Sequence, residues 1–142
     1  MLAAAPEIFN HNLETVRRLT PTVRSRATYE RSLSVLAKVK AKRGDRVLTK
    51  SGLMLGLGET EAEVLEAMED LRRSDCDVLT VGQYLQPTLK HLPVVAFISP
   101  ERFEEYGQQA RALGFLHVAS GPMVRSSYHA DELPLPPTLR PS

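Results

Sequence analysis

Cysteine is nearly absent from this sequence. Among 142 residues there is one, Cys76, which excludes an intrachain disulfide framework and any all-cysteine metal or cluster site built from this chain alone. A reducing, cytoplasmic setting is the expectation that follows. Charge of one sign is also lacking: eighteen Lys and Arg face seventeen Asp and Glu, a formal net charge of +1. That balance is unlike the electrostatic footprint of a nucleic-acid or polyanion binder, and it favours a small-molecule or protein partner. No apolar window approaches a membrane-spanning length, and residues 1–6 are too short and uncharged for an export signal. The sequence therefore reads as soluble, with no nucleic-acid and no membrane partner. Its length suffices for one domain that buries about two thirds of the surface its unfolded form exposes.

What is present alternates. Ile8 and Phe9 give a short apolar strand that ends in polar residues. Residues 29–41 repeat Leu33, Leu36, Ala37, Val39 and Ala41 at roughly helical spacing, and Lys38, Lys40, Lys42 and Arg43 precede Gly44, a helix stop. Residues 47–57 are mostly apolar and run into glycines at 52, 56 and 58, as a buried strand entering a tight turn does. Over 61–73, Val64, Leu65, Met68 and Leu71 share one helical face, with Thr60 placed to cap it. Residues 77–81 predict another strand, closed by Gly82 and Gln83. Ser99, Pro100 and Glu101 open a helix whose inward stripe is Phe103, Tyr106, Ala110 and Leu113, and Gly114 ends it. A last strand over 115–119 follows, then a proline-rich tail, 133–142, without periodicity.

Strands alternating with helices predict an α/β fold with parallel pairing and helical crossovers. Four strands cannot close an eight-stranded barrel, so the expected architecture is a partial (β/α) barrel over residues 1–132, with a strand edge left open or completed from elsewhere.

In such folds ligands sit where strands end and helices begin, and three polar clusters fall there. Asn10, His11, Asn12 and Glu14 offer carboxamides and a carboxylate that suit ribose hydroxyls or an amino-acid headgroup; equally, Asn12 fits a helix N-cap. Lys50 and Ser51, with Gly52, Gly56, Gly58 and Glu59, let a backbone approach a flat or phosphorylated ligand, or simply form a strand-to-helix turn. The run is neither a dinucleotide fingerprint nor a phosphate loop. Gln83, Tyr84 and Gln86 can meet an adenine edge or a peptide, while Lys90 and His91 suit either that site or a solvated surface. A fourth cluster, Arg125, Ser126, Ser127, Tyr128 and His129, lacks the flanking glycines of a nucleophile elbow, so it gives little support to a hydrolase.

Singly these signals are weak. Together and in order, FNHNLETV at 9–16, TKSGLMLGLGET at 49–60, LTVGQYLQPT at 79–88 and GPMVRSSYHA at 121–130 resemble lipoyl synthase, and specifically its C-terminal half. The resemblance covers the chain from its first strand to about residue 132 and leaves out the proline-rich tail. It implies a radical S-adenosylmethionine enzyme that inserts two sulfur atoms into an octanoyl group carried on a lipoyl domain or on the glycine cleavage H protein, with S-adenosylmethionine and two 4Fe-4S clusters as cofactors. It also implies cofactor contacts from Asn10, Asn12, Glu14, Lys50, Ser51, Gly56, Gly58, Glu59, Gln83 and Tyr84. Ser127, with Ser126 second, is implied as a ligand of the auxiliary cluster, with Arg125 as a stabilising cation beside them.

In that family both cysteine triplets precede the segment found here, and Cys76 belongs to neither. The expectation is that this chain alone binds no complete cluster and is catalytically silent without an N-terminal half. A non-enzymatic remnant that binds a nucleoside or a lipoyl domain is the alternative.

Overall fold

The computed structural model describes residues 7–24 and 28–124. The proline-rich tail, Arg125, Ser126 and Ser127 lie outside the described residues. Four strands, β1 (Glu7–Asn10), β2 (Val47–Leu55), β3 (Val78–Gln83) and β4 (His117–Ser120), form one sheet in the order β1-β2-β3-β4. Every pairing is parallel, with Asn10 beside Lys50, Lys50 beside Val78, and Val78 beside His117. The crossovers are α1 (Thr20–Val23) with α2 (Tyr29–Arg43), then α3 (Glu61–Arg73), then α4 (Pro100–Leu113). This is the expected α/β sheet, part of a (β/α) barrel.

Helix ends explain why the elements begin and stop where they do. Thr28 and Ser99 accept the Arg31 and Arg102 N–H groups at the starts of α2 and α4. Thr60 and Glu63 complete a reciprocal capping box on α3. Gly114 ends α4 in the left-handed region at φ 102°. The short α1, and a 3₁₀ turn over Arg17–Leu19 before it, have too little length for periodicity to reveal. No helix begins at Asn12, so its reading as an N-cap does not hold; the next helical turn opens after Val16.

Alternation along the strands sends Leu53, Leu55, Leu79, Val81 and Val118 to the helical side. There they join Leu36, Val64, Met68, Leu71, Phe103 and Ala110 in one buried cluster. The leucine, valine, methionine and phenylalanine side chains among them contribute about 1.5–3 kcal/mol each on full burial. Cys76 belongs to this cluster, just before β3, at the end of the sheet opposite the strands' carboxyl termini. Near it Lys40 Nζ meets Asp77 Oδ2 at 2.9 Å and donates to the Val47 carbonyl at 2.9 Å. Among the described residues no helix is long and apolar enough to cross a membrane.

Candidate cofactor site

The polar segment after β1 neither caps a helix nor turns away from the sheet. His11 N–H donates to the Lys50 carbonyl at 2.9 Å, Leu13 N–H to Ser51 Oγ at 2.9 Å and Glu14 N–H to the Gly52 carbonyl at 2.9 Å. Met54 N–H donates back to the Glu14 carbonyl at 2.8 Å, so Glu14 makes a parallel bridge with Leu53. Glu14 takes φ 76° to do so, in a region that non-glycine residues enter only when neighbours hold them. The arch between Asn10 and Glu14 turns Asn10, His11, Asn12 and Glu14 into a cleft of about 860 Å³ at the carboxyl ends of β1 to β3.

Arg24, just beyond α1, closes one side of this cleft. Its Nη1 donates to Ser32 Oγ at 2.8 Å and to the Leu13 carbonyl at 3.2 Å, and Ser32 Oγ also meets His11 Nε2 at 3.1 Å. Burial raises the Glu14 pKa, against the opposing pull of Arg24 and of a hydrogen bond from Asn12. Burial, helped by Arg24, lowers the pKa of His11, which therefore stays neutral at pH 7. The cleft thus holds a carboxylate and a guanidinium beside two carboxamides. Sequence reasoning missed Arg24, because its place depends on a four-residue helix and a serine on α2.

The opposite wall is the loop between β3 and α4, which contributes Tyr84, Leu85, Pro87, Lys90, His91 and Leu92. Tyr84 is buried and its hydroxyl donates to the Leu92 carbonyl at 2.7 Å. Gln86 Nε2 reaches the His91 carbonyl at 2.9 Å. Lys90 and His91 belong to the cleft wall and not to a remote surface.

Of the residues singled out from the sequence, Asn10, Asn12, Glu14 and Tyr84 line the cleft; Lys50, Ser51, Gly56, Gly58, Glu59 and Gln83 do not. Each of the latter is taken up inside the chain. Ser51 anchors Leu13. Lys50 is fully buried in mid-strand, where burial lowers its pKa. The Glu59 carboxylate accepts the N–H groups of Gly56 and Leu57 at 3.0 Å each. Gln83 donates to the Tyr84 and Ala96 carbonyls and accepts from Ile98 N–H, all at 2.9 Å, so its amide meets the chain's own backbone. Gly56 and Gly58 have φ 107° and 106° and form the turn that this loop packs on. Arg125, Ser126 and Ser127 lie beyond Val124. The carbonyl of Val124 rests directly on Gly82, and Gly121 N–H donates to the Val81 carbonyl at 3.0 Å. The chain thereby crosses the carboxyl end of β3 just before the serine pair.

Cys76 is at the other end of the sheet. It is fully buried, and burial pushes its thiol up to about 12.

No family model matches the chain. It is similar to curated proteins named lipoyl synthase. Identity is 64% over 132 residues with lipoyl synthase 2 of Thermosynechococcus vestitus, a stretch covering 93% of this chain and 45% of that protein. With the lipoyl synthase of Geobacillus thermodenitrificans it is 58% over 132 residues, covering 93% and 44%. With that of Anaeromyxobacter dehalogenans it is 60% over 131 residues, covering 92% and 44%. The chain spans about half the length of the curated relatives it matches.

Proposed function

The chain belongs to the lipoyl synthase family, and from that premise we propose that it forms the S-adenosylmethionine-holding half of an enzyme that inserts sulfur into a protein-bound octanoyl group. In such an enzyme S-adenosylmethionine and two iron–sulfur clusters supply radical chemistry and sulfur. The observation that carries the reading is the pairing of Glu14 and Arg24 with Asn10 and Asn12 in one cleft at the strands' carboxyl ends. That donor set suits a ligand with a zwitterionic amino-acid end and a ribose. A guanidinium binds a carboxylate through parallel N–H groups, a carboxylate accepts from an ammonium or a diol, and carboxamides do both. The cleft volume is that of a site for a ligand of this size.

In this reading Asn10, Asn12 and Glu14 orient the ribose and amino-acid part, Arg24 takes the carboxylate, and Tyr84 holds the far wall in place for the adenine. Lys50, Ser51, Gly56, Gly58, Glu59 and Gln83 act through the backbone they fix. They are positioning residues.

A cluster fits the described residues poorly. Iron in such clusters is held chiefly by thiolates. The single thiol, Cys76, is sealed in the core at the wrong end of the sheet and resists ionisation. The thiolates therefore come from outside these 142 residues, and this stretch by itself assembles no complete cluster. Ser127, or Ser126, is proposed as an oxygen ligand to the auxiliary cluster with Arg125 beside it.

Titration of S-adenosylhomocysteine into the chain, followed by calorimetry, tests the cleft. Binding at one site, weakened at least tenfold in Asn12→Ala and in Glu14→Gln, is the expected result; a wild-type chain that binds none would overturn it. Anaerobic iron and sulfide analysis tests the clusters. About eight irons, as two four-iron clusters require, should appear only when the chain is joined to an upstream segment carrying two cysteine triplets.

A further inference from the structure

Ser32, near the start of α2, is a polar residue with only 1% of its surface exposed. Its Oγ receives Arg24 Nη1 at 2.8 Å and lies 3.1 Å from His11 Nε2. A serine in a helix can satisfy its hydroxyl on a carbonyl one turn back. This one is engaged instead by two side chains that line the cleft, while Ser32 itself does not line it.

The hydrogens available fix the direction of each bond. A guanidinium only donates and a hydroxyl has one proton to give. Ser32 Oγ therefore accepts from Arg24, and among the described residues the acceptor that its own proton reaches is His11 Nε2. His11 is neutral at pH 7, so Nε2 is the bare nitrogen and Nδ1 carries the hydrogen. The opposite tautomer would leave a buried hydroxyl proton without an acceptor, which is costly. Arg24 is fixed by the same contact. Both hydrogens of Nη1 are taken, by Ser32 Oγ and by the Leu13 carbonyl at 3.2 Å. Among the described residues nothing accepts from Nε or Nη2, and those two nitrogens form an edge that grips a carboxylate through parallel bonds.

We propose that Ser32 is a positioning residue for the carboxylate end of the ligand: its hydroxyl turns the Nε–Nη2 edge of Arg24 to the cleft and holds His11 with Nδ1 protonated. The inference rests on the cleft reading above and deepens it, by saying how the cleft separates a ligand with an amino-acid carboxylate from the same ligand without one. Lysine in place of Arg24 would keep the charge and lose the aim, since an ammonium is a point charge with no planar edge to orient. A side chain that does not touch the ligand thereby sets the selectivity for one end of it.

Calorimetric titration of S-adenosylhomocysteine and of its decarboxylated analogue, which keeps the ammonium, tests it on the chain, on Ser32→Ala, on Arg24→Lys and on the double variant. Alanine is the better helix former, so Ser32→Ala is expected to fold, and circular dichroism melts verify it. The wild type should bind S-adenosylhomocysteine the more tightly of the two. Ser32→Ala should weaken S-adenosylhomocysteine about tenfold, as loss of a hydrogen bond to a charged group does, and the decarboxylated analogue by less than about twofold. Arg24→Lys should weaken S-adenosylhomocysteine as well, and adding Ser32→Ala to it should weaken binding no further, because the two act as one unit. Proton–nitrogen correlation spectra of the imidazole, taken without ligand, should show His11 protonated at Nδ1 in the wild type and a mixture of tautomers in Ser32→Ala. A wild type that does not distinguish the two compounds, equal loss of both or loss of neither in Ser32→Ala, or additive effects in the double variant overturns the proposal. If the wild type binds neither compound, the cleft reading fails and the spectra decide on Ser32 by themselves: a His11 tautomer unchanged in Ser32→Ala overturns its positioning role, and a changed one sustains that role for a different carboxylate ligand.

Discussion

A Cβ atom on Gly56 would occupy the space of the Gln83 side-chain amide nitrogen and of the Ala96 carbonyl oxygen. The strand-to-helix turn after β2 and the loop after β3 are therefore packed through a position that has no room for a side chain. Gly56→Ala also forces a Cβ into φ 107°, so overpacking and left-handed strain add to about 3 kcal/mol of lost stability. Urea denaturation measures it. A loss below about 1 kcal/mol would mean the clamp is loose.

Glu14 sets stability against binding. Its folded-state pKa lies above the unfolded value of 4.5 because burial disfavours the charged form. The folded chain thus retains this proton to higher pH than the unfolded chain does. The group's stabilising contribution is greatest below pH 4.5 and declines as pH rises through the folded value. In Glu14→Gln that decline disappears, so the melting temperature of the variant relative to wild type should rise between pH 4 and pH 7, while S-adenosylhomocysteine binding falls. A constant difference across that range would show that burial does not govern this carboxyl.

Glu63 behaves in the opposite sense. Arg18, donating to both carboxylate oxygens at 2.7 and 3.0 Å, and the backbone N–H of Thr60 pull its pKa to about 2. Its contribution is complete above pH 4.5 and is lost as pH falls toward 2. Glu63→Gln should lose up to about 1 kcal/mol at pH 7, solvent screening keeping the ion pair modest, and should match wild type near pH 2. Thr60→Ala removes the other half of the capping box and should lose about 1 kcal/mol. Thermal melts from pH 2 to pH 7 check both.

The Cys76 thiol, fully buried and with its pKa pushed up to about 12, should react with a disulfide reagent at pH 8 only through opening of the fold. The labelling rate should track global stability and rise with added urea. Fast labelling of the native chain would place this cysteine outside the core.

Much of the fold is legible because its signals are local. The apolar spacing of Val64, Met68 and Leu71, the caps at Thr60 and Ser99, and the stops at Gly44 and Gly114 act within a turn or two of where they stand. The polar arch from Asn10 to Glu14 is legible in the same way, as a cluster after a short strand. Gln83 and Glu59 show where this ends. Both have the composition of binding residues, yet their polar atoms bond to the chain's own backbone, Gln83 through Ala96 and Ile98. For Gln83, partners more than a dozen residues away leave no mark on local pattern; Glu59 instead folds back onto the Gly56 and Leu57 N–H groups, a turn geometry that composition does not reveal.

The sequence by itself determined the alternation of parallel strands and helices, the polar composition at the strand ends, and the scarcity of thiols, one in 142 residues. These follow from periodicity, capping chemistry and residue counts. Tertiary structure alone decided which polar groups face the cleft and which brace it. It brought Arg24 beside Glu14, Ser32 against His11 across 21 residues, and the loop after β3 onto Gly56. The reason is physical: a side chain's role is fixed by which donor or acceptor reaches it first, and chain distant in sequence supplies those partners.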